Sequence, residues 1–141
     1  MYTQANGNIQ GVYAANDTLA NSAIQTLKRN GVKIPVTGQD AATSGLQNIL
    51  AGNQCMTVWK PADGEAKALA DTAIALLKGD KPETTGTVTD SEGGREVQSI
   101  LLDPISVTQE NLADAISKGA QSAADVCTGD FAALCTAQGI K

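Results

Sequence analysis

Three short apolar runs, each ending abruptly at polar residues, set the pattern of the first half of the chain. They are Gly11–Asp17 (GVYAAND), Ile34–Asp40 (IPVTGQD) and Cys55–Pro61 (CMTVWKP). Runs of this length between turn-forming residues are typical of buried strands. Because a helical stretch follows each run, the alternation predicts an α/β fold with three layers, a mostly parallel sheet flanked by helices and joined by right-handed crossovers.

The helical stretches each carry apolar residues on one face. Asn16–Thr18 offers N-cap chemistry for the first helix, Thr43 or Ser44 for the second, and Asp63 for the third. The apolar positions are Leu19, Ala20, Ala23, Ile24 and Leu27 in the first helix, Leu46, Ile49 and Leu50 in the second, and Ala66, Leu69, Ala70, Ala73, Ile74 and Leu77 in the third. The third stripe is the clearest of the three.

The second half of the chain is less regular. Residues 81–96 are rich in Thr, Gly, Asp and Glu and have no apolar periodicity, which indicates an excursion or linker with a weak strand at Gly86–Thr89. Val97–Leu102 is predicted to be a strand. Thr108 is predicted to cap a helix over Gln109–Lys118, and one or two short helical turns are expected in the tail.

Composition and charge exclude several classes of function. The 141 residues are about one domain long. The net charge is −5 and there is no run of Lys or Arg, so the charge pattern does not indicate a nucleic-acid-binding surface. There is no histidine, which removes histidine-based triads and metal sites. No phosphate-binding glycine motif is present. Met1–Gln10 is polar and is not a signal peptide, so any export signal is expected outside this chain. We expect no cofactor.

The three cysteines have different surroundings in the sequence. Cys127 and Cys135 are separated by a short stretch that could bring them within disulfide reach, although two free thiols are the alternative. A bridge would indicate an oxidising compartment. Cys55 opens a strand and is interpreted as a small core residue.

The polar residues at the three strand ends are the candidate ligand site, because open α/β sheets bind ligands just outside the carboxyl ends of their strands. Capping of the first helix is the competing role for Asn16 and Asp17. An ion pair between Asp40 and Lys60, or capping of the second helix by Asp40, competes with ligand contact there. The full set of candidates is Asn16, Asp17, Gln39, Asp40, Trp59 and Lys60.

Two of these candidates have further alternatives. Gln39 is expected mainly to contact the backbone or solvent. For Trp59, core packing and stacking on a ligand are equally expected. Asp17 and Asp40 are also the carboxylates that a sugar-cleaving enzyme would need. Nothing in the sequence places them at a catalytic separation, so we interpret the protein as a binding module and not an enzyme.

Four motifs, in this order and at these spacings, resemble a known family. They are AANDTLANSAIQTLKRNG, VTGQDA, ILAGNQCMTVWKP and LLDPISVTQENLADAI, and they span roughly Gly11–Gly119. Together they resemble the C-terminal half of type I periplasmic sugar-binding proteins, the soluble receptors of ABC importers, and most closely the xylose-binding branch. The resemblance implies that residues 1–119 form an incomplete C-terminal lobe with a hinge-like segment at 81–96, followed by a helical tail at 120–141.

The resemblance also implies a ligand and partners. Asn16, Asp40 and Lys60 match sugar-contacting positions, whereas Trp59 stands where tyrosine is usual. The expected ligand is a monosaccharide such as xylose or another pentose, bound outside the cytoplasm between this lobe and a missing N-terminal lobe and delivered to an ABC permease. Because an incomplete sheet exposes an edge strand, a homodimer or strand-swapped oligomer is also expected.

A second family shares this fold, so the resemblance leaves one alternative function. The chain would then be the effector-binding domain of a LacI-type repressor. Such a protein would need a DNA-binding headpiece upstream, and a bridge between Cys127 and Cys135 would argue against it.

Overall fold

The computed structural model describes residues 2–141, which divide into two compact units. The first unit contains residues 2–60 and 105–141, and the second contains Pro61–Pro104. In chain order the elements are α1 (Asp17–Arg29), α2 (Thr43–Leu50), β1 (Thr57–Trp59), α3 (Ala62–Leu77), β2 (Gly86–Thr89), β3 (Glu96–Ser99), β4 (Ile105–Val107), α4 (Leu112–Ser117), α5 (Ala123–Val126) and α6 (Phe131–Ala137). Among these helices, none has both the length and the apolar character that a membrane span needs.

The three predicted strands of the first unit lie side by side. Val12 and Val36 form a parallel bridge, with the Val12 amide 2.9 Å from the Pro35 carbonyl and the Thr37 amide 3.0 Å from the Val12 carbonyl. The Cys55 amide donates to the Val36 carbonyl at 2.9 Å, which adds the third segment. Among residues 2–141, parallel pairing is limited to these few bonds, partly because Pro35 has no N–H to donate.

The regular ladders in the described residues are antiparallel and short. In the first unit β1 pairs with β4, with Val58 opposite Ser106. In the second unit β2 and β3 form a hairpin, with Val88 opposite Val97. The strand predicted at Gly86–Thr89 is confirmed. The strand predicted at Val97–Leu102 corresponds to β3, which ends at Ser99, three residues before the predicted end. It pairs with β2 in the hairpin and not with the parallel segments.

Two clusters of buried side chains make the core of the first unit. Ala20, Ile24 and Leu27 of α1 pack with Ala14 and Val36 against the first two strands. The second cluster contains the apolar face of α2 together with β1, β4 and the C-terminal helices; its fully buried members include Leu46, Ile49, Val107, Leu112 and Val126. Both predicted stripes are therefore confirmed, although Leu19 at the margin of the first is 55% exposed.

Several predicted caps are wrong. The N-cap residues of α2 and α3 are Ala42 and Pro61, so Thr43 lies inside α2 and Asp63 lies in the first turn of α3. The helix expected from Gln109 begins only at Leu112, so Thr108 does not cap it. The Asn111 side chain instead accepts from the Thr108 amide at 2.7 Å, which closes a local turn before the helix.

The apolar stripe of α3 is exposed. None of its sixteen residues is buried, and Leu69, Ile74 and Leu77 are 73%, 49% and 88% exposed. The pattern predicted the helix correctly, because helical periodicity is local. Burial requires a partner surface, and the second unit consists only of this helix, the hairpin and their connections.

The C-terminal tail contains α5 and α6, tied by a disulfide between Cys127 and Cys135. The predicted bridge is therefore present. Cys55 is a free thiol and is exposed, so its interpretation as a core residue is wrong. Its position next to Val36 explains this, because the thiol points to the Val36 carbonyl, 3.1 Å away, at the margin of the short parallel segments.

Candidate functional site

The three strand ends meet along one edge of the first unit. The Asp17 amide donates to the Gln39 carbonyl at 2.9 Å, and the Asp40 amide donates to the Val58 carbonyl at 2.8 Å. These two bonds join the first strand end to the second and the second to the third. The polar residues expected at the edge are therefore held in one row.

Asp40 and Lys60 form the exposed charged pair of this edge. Lys60 Nζ lies 3.0 Å from Asp40 Oδ1, and the two side chains are 44% and 49% exposed. An exposed ion pair contributes about 0–1 kcal/mol, so a ligand can replace it at little cost. The pair therefore presents a carboxylate acceptor and an ammonium donor to solvent. The ion pair is the alternative that the sequence analysis set against ligand contact, and ligand contact at these two residues stays a prediction.

The backbone at Asp40 has an unusual conformation. Asp40 and Ala41 have φ values of 93° and 48°, in the left-handed region that residues with a Cβ rarely adopt. Aspartate tolerates this region better than most residues. Such conformations persist only where surrounding contacts hold them, and they occur often at ligand sites.

Asn16 caps α1 and still faces solvent. Its Oδ1 accepts from the Leu19 amide at 2.9 Å, so Asn16 and not Asp17 is the N-cap residue. The cap uses only the oxygen of the carboxamide. The NH2 group makes no hydrogen bond among the described residues and remains available as a donor. Capping and ligand contact are therefore compatible at this residue.

Asp17 is buried inside the first unit. It is 1% exposed, and its carboxylate accepts from the Ala42 amide at 2.8 Å, Gln54 Nε2 at 2.7 Å and Thr57 Oγ1 at 3.0 Å. The expected ligand contact at Asp17 is thus not supported, because the whole carboxylate is engaged by the protein. Asp17 also does not cap α1.

Trp59 and Gln39 contribute less to the edge than expected. Trp59 is 8% exposed and packs in the larger core cluster, which supports core packing over ligand stacking. Gln39 is partly exposed, and its Nε2 lies 3.5 Å from Asp40 Oδ1, at the limit of hydrogen bonding. The exposed candidates that the structure brings together are therefore Asp40, Lys60 and Gln39, beside Asn16.

Sequence reasoning missed the residues that surround the Asp17 carboxylate. Gln54 and Thr57 are 3% and 0% exposed, and a Cβ built on Gly38 or Gly45 would lie 2.1 or 2.2 Å from a carboxylate oxygen. The available signal was two polar residues at the third apolar run, Gln54 just before it and Thr57 within it. That signal is weak, because strands of ordinary sheets also carry such residues.

The edge combines a carboxylate, an ammonium and a carboxamide. A carboxylate accepts two hydrogen bonds from neighbouring hydroxyls, an ammonium donates to hydroxyl oxygens, and a carboxamide does both. A neutral ligand with several adjacent hydroxyls satisfies all three groups. This mixture is polar and open, and it favours reversible binding.

Comparison with known proteins was made at the level of family, sequence and structure. A family model described as "Periplasmic binding protein domain" matches residues 1–81. The chain is 39% identical over 118 residues to the D-xylose-binding periplasmic protein of Escherichia coli (strain K12), covering 82% of this chain and 35% of that protein. It is 34% identical to the multiple sugar-binding periplasmic receptor ChvE of Rhizobium radiobacter, covering 88% of this chain and 36% of that one.

Solved structures give the same similarity in three dimensions. A carbohydrate transporter solute-binding protein from Chloroflexus aurantiacus, in complex with D-glucose, matches with a TM-score of 0.74 and 32% identity over 84% of this chain and 36% of that one. The arabinose-binding component of an ABC transporter from Shewanella sp. ANA-3 matches with a TM-score of 0.64 and 25% identity, over 88% and 38% of the two chains. The chain thus spans about a third of the length of these proteins.

Proposed function

The chain belongs to the periplasmic binding protein domain family, and from that premise we propose that it is part of the sugar-binding component of an ABC importer. The ligand class is a monosaccharide, with xylose or another pentose as the first candidate. Support comes from the similar proteins, whose names specify D-xylose, multiple sugars and arabinose. The proposal assigns binding and delivery to the protein, with no catalytic step.

The observation that carries the proposal is the exposed Asp40–Lys60 pair beside Asn16. In the proposed complex the Asp40 carboxylate accepts from two neighbouring hydroxyls of the sugar, and Lys60 Nζ donates to a third oxygen. The Asn16 amide donates at the other end of the row. Because the ion pair is weakly held in water, hydroxyls can replace it without a large cost.

The proposed protein works with a second lobe that closes over the same edge. Closure of two lobes around a ligand is a common switching device, and the closed form is what the permease recognises in this proposal. Self-association through an exposed edge strand stays a prediction.

The proposed location is outside the cytoplasm. The Cys127–Cys135 disulfide is the supporting feature, since disulfides persist mainly in oxidising compartments. The same bridge disfavours the repressor alternative, which would work among reduced thiols. None of the similar proteins described above is named as a repressor.

The test is a titration of the 141-residue chain with D-xylose, L-arabinose and D-glucose, followed by amide NMR shifts. We expect the Asn16, Asp40 and Lys60 amides to move, with a dissociation constant near 1 mM, or about 4 kcal/mol, because only part of the contacts is present. Asp40→Asn should weaken binding at least ~10-fold, the value of one charge-assisted hydrogen bond.

The matched control is Asp114→Asn. Asp114 also pairs with an exposed lysine, Lys118, at 2.8 Å, but on α4 and in an i,i+4 pair of that helix. This variant should bind as the parent chain does. Equal losses in both variants, or no movement of the edge amides with any of the sugars, would rule out the proposed site.

A further inference from the structure

The buried carboxylate of Asp17 joins the start of α1 to two other segments of the first unit, the start of α2 and the stretch around β1. Its partners are the Ala42 amide at the start of α2, Gln54 before β1, and Thr57 within β1. A buried charge is retained only where hydrogen bonds or charges compensate its desolvation. Here all the compensation seen comes from neutral donors, so the network depends on the geometry of those segments.

The turn that carries Asp40 is held by three successive amides. The Asp40 amide donates to the Val58 carbonyl at 2.8 Å, the Ala41 amide to Thr57 Oγ1 at 3.2 Å, and the Ala42 amide to Asp17 Oδ2 at 2.8 Å. The Thr57 hydroxyl in turn donates to Asp17 Oδ2 at 3.0 Å. Two of the three amides therefore end at the Asp17 carboxylate, one directly and one through Thr57.

The three amides donate to three different acceptors, and only the Ala42 amide reaches the Asp17 carboxylate directly. The turn contains the two left-handed residues, Asp40 and Ala41. Without the carboxylate, the Ala42 amide would lose its partner and the Thr57 hydroxyl would lose its acceptor.

The surroundings of the carboxylate leave little freedom for it to move. A Cβ on Gly38 would lie 2.1 Å from Asp17 Oδ1, and one on Gly45 would lie 2.2 Å from Oδ2. Gln54 directs its NH2 group to Asp17 and to the Met56 carbonyl, and its own Oε1 is buried with no partner among the described residues. Turning the amide over would place Oε1 against the carboxylate, so the unsatisfied oxygen follows from donating to Asp17.

We propose that Asp17 is a positioning residue for the edge that carries Asp40 and Lys60: its carboxylate holds the turn at 40–42, with Asp40 and Ala41 in the left-handed region, and so keeps Asp40 beside Lys60. Asp17 touches no ligand in this arrangement. The consequence for sugar binding rests on the function proposed above, whereas the structural link between Asp17, Thr57 and the turn does not.

The test uses amide hydrogen exchange and compares Thr57→Val with Thr57→Ser in the 141-residue chain. Valine has nearly the shape of threonine but removes the hydroxyl that accepts from Ala41 and donates to Asp17, whereas serine keeps it. We expect exchange at Ala41 to accelerate at least ~10-fold in Thr57→Val and to stay near the parent rate in Thr57→Ser. The Ile24 amide in α1 should be unchanged in both variants.

Asp17→Ala is the direct variant. It removes both acceptor oxygens, so the Ala42 amide and the Thr57 hydroxyl lose their acceptor and we expect faster exchange at both Ala41 and Ala42. If this variant does not fold, the comparison of Thr57→Val with Thr57→Ser tests the proposal. Parent-like exchange at Ala41 in Thr57→Val, or equal acceleration at Ala41 and Ile24, overturns the proposal, because the first shows no link and the second shows only general destabilisation.

The sugar titration separates this inference from the proposed function. Thr57→Val should weaken sugar binding at least ~10-fold, as followed by the shift of the Asp40 amide during the titration, and Thr57→Ser should bind as the parent chain does. Faster exchange at Ala41 with unchanged sugar binding would overturn the positioning role. A parent chain that responds to no sugar would overturn the proposed function alone, since the exchange measurement contains no ligand.

Discussion

Gly45→Ala should destabilise the first unit although it introduces the best helix former into a helix. Gly45 lies in α2, and replacing a helical glycine by alanine normally stabilises by about 1 kcal/mol. At this position the new Cβ would lie 2.2 Å from Asp17 Oδ2, roughly 1.2 Å inside the 3.4 Å at which ordinary contact begins. The carboxylate or the helix must therefore move.

The size of the effect follows from what that movement breaks. Overpacking of a well-packed interior costs about 1–3 kcal/mol. Displacement of Asp17 also weakens its hydrogen bonds to Ala42, Gln54 and Thr57, each worth about 1.5–3 kcal/mol as a bond to a charged group. With one such bond lost and the helical gain subtracted, we expect a net loss of about 3 kcal/mol.

Urea unfolding monitored by tryptophan fluorescence measures this loss. The chain has a single tryptophan, Trp59, which is 8% exposed and packs in the larger core cluster of the first unit. A loss of about 3 kcal/mol should lower the urea midpoint by about 1–3 M. An unfolded baseline in the absence of urea would agree with the same reasoning, since domains are stable by only about 5–15 kcal/mol.

Gly64→Ala is the matched control. Gly64 is also helical, in α3, but a Cβ there would meet only Leu102 Cδ1, at an ordinary 3.8 Å. The tryptophan midpoint should then stay the same or rise. If Gly45→Ala is as stable as the parent chain or more stable, the close approach of α2 to Asp17 is not tight and the reasoning fails.

Two further predictions concern the tail and the hairpin. Reduction of the Cys127–Cys135 bridge should lower the free energy of unfolding by about 2.5 kcal/mol, because the two cysteines are 8 residues apart and the bridge restricts the unfolded chain. Urea midpoints with and without reductant measure this loss. As a control, the midpoint of a chain with both cysteines replaced by serine must not change on addition of reductant. In the hairpin, hydrogen bonds from the Thr89 hydroxyl and then from Thr87 lower the pKa of Glu96 below its ordinary 4.5. The folded hairpin therefore favours the charged carboxylate, so this stabilisation is present above pH 4.5 and is lost as the pH falls through the lowered pKa; amide shifts of β2 and β3 during acidification should report it, and a hairpin whose amides show no change through that range would contradict it.

The local elements were predictable because their causes are local. The stripe of Ala20, Ile24 and Leu27 and the polar break at Asn16 lie within one or two turns of helix, so α1 could be assigned from neighbouring residues alone. The disulfide was predictable in the same sense, as two cysteines 8 residues apart need only a short turn between them. The pattern also placed Asp40 and Lys60 at strand ends, because parallel strands bring their carboxyl ends to one edge.

Burial was harder to predict, because it depends on surfaces far apart in the chain. The stripe of α3 has the same periodicity as that of α1, yet Leu77 is 88% exposed and Leu27 is 5% exposed. An amphipathic helix is buried only where another element covers it. For Trp59, the sequence pattern was equally consistent with core packing and with a ring that faces a ligand. In the structure Trp59 packs in the core, in the same cluster as the C-terminal elements.

The sequence by itself determined the α/β alternation, the main helical faces and the row of polar strand ends, since each depends on residues close together in the chain. Only the tertiary structure divided that row between solvent-facing and internal side chains. Asn16 and Asp17 are neighbours, yet one caps α1 in solvent and the other is 1% exposed. The physical reason is that Asp17 meets donors 25, 37 and 40 residues away, and no pattern within a single helix or strand contains that information.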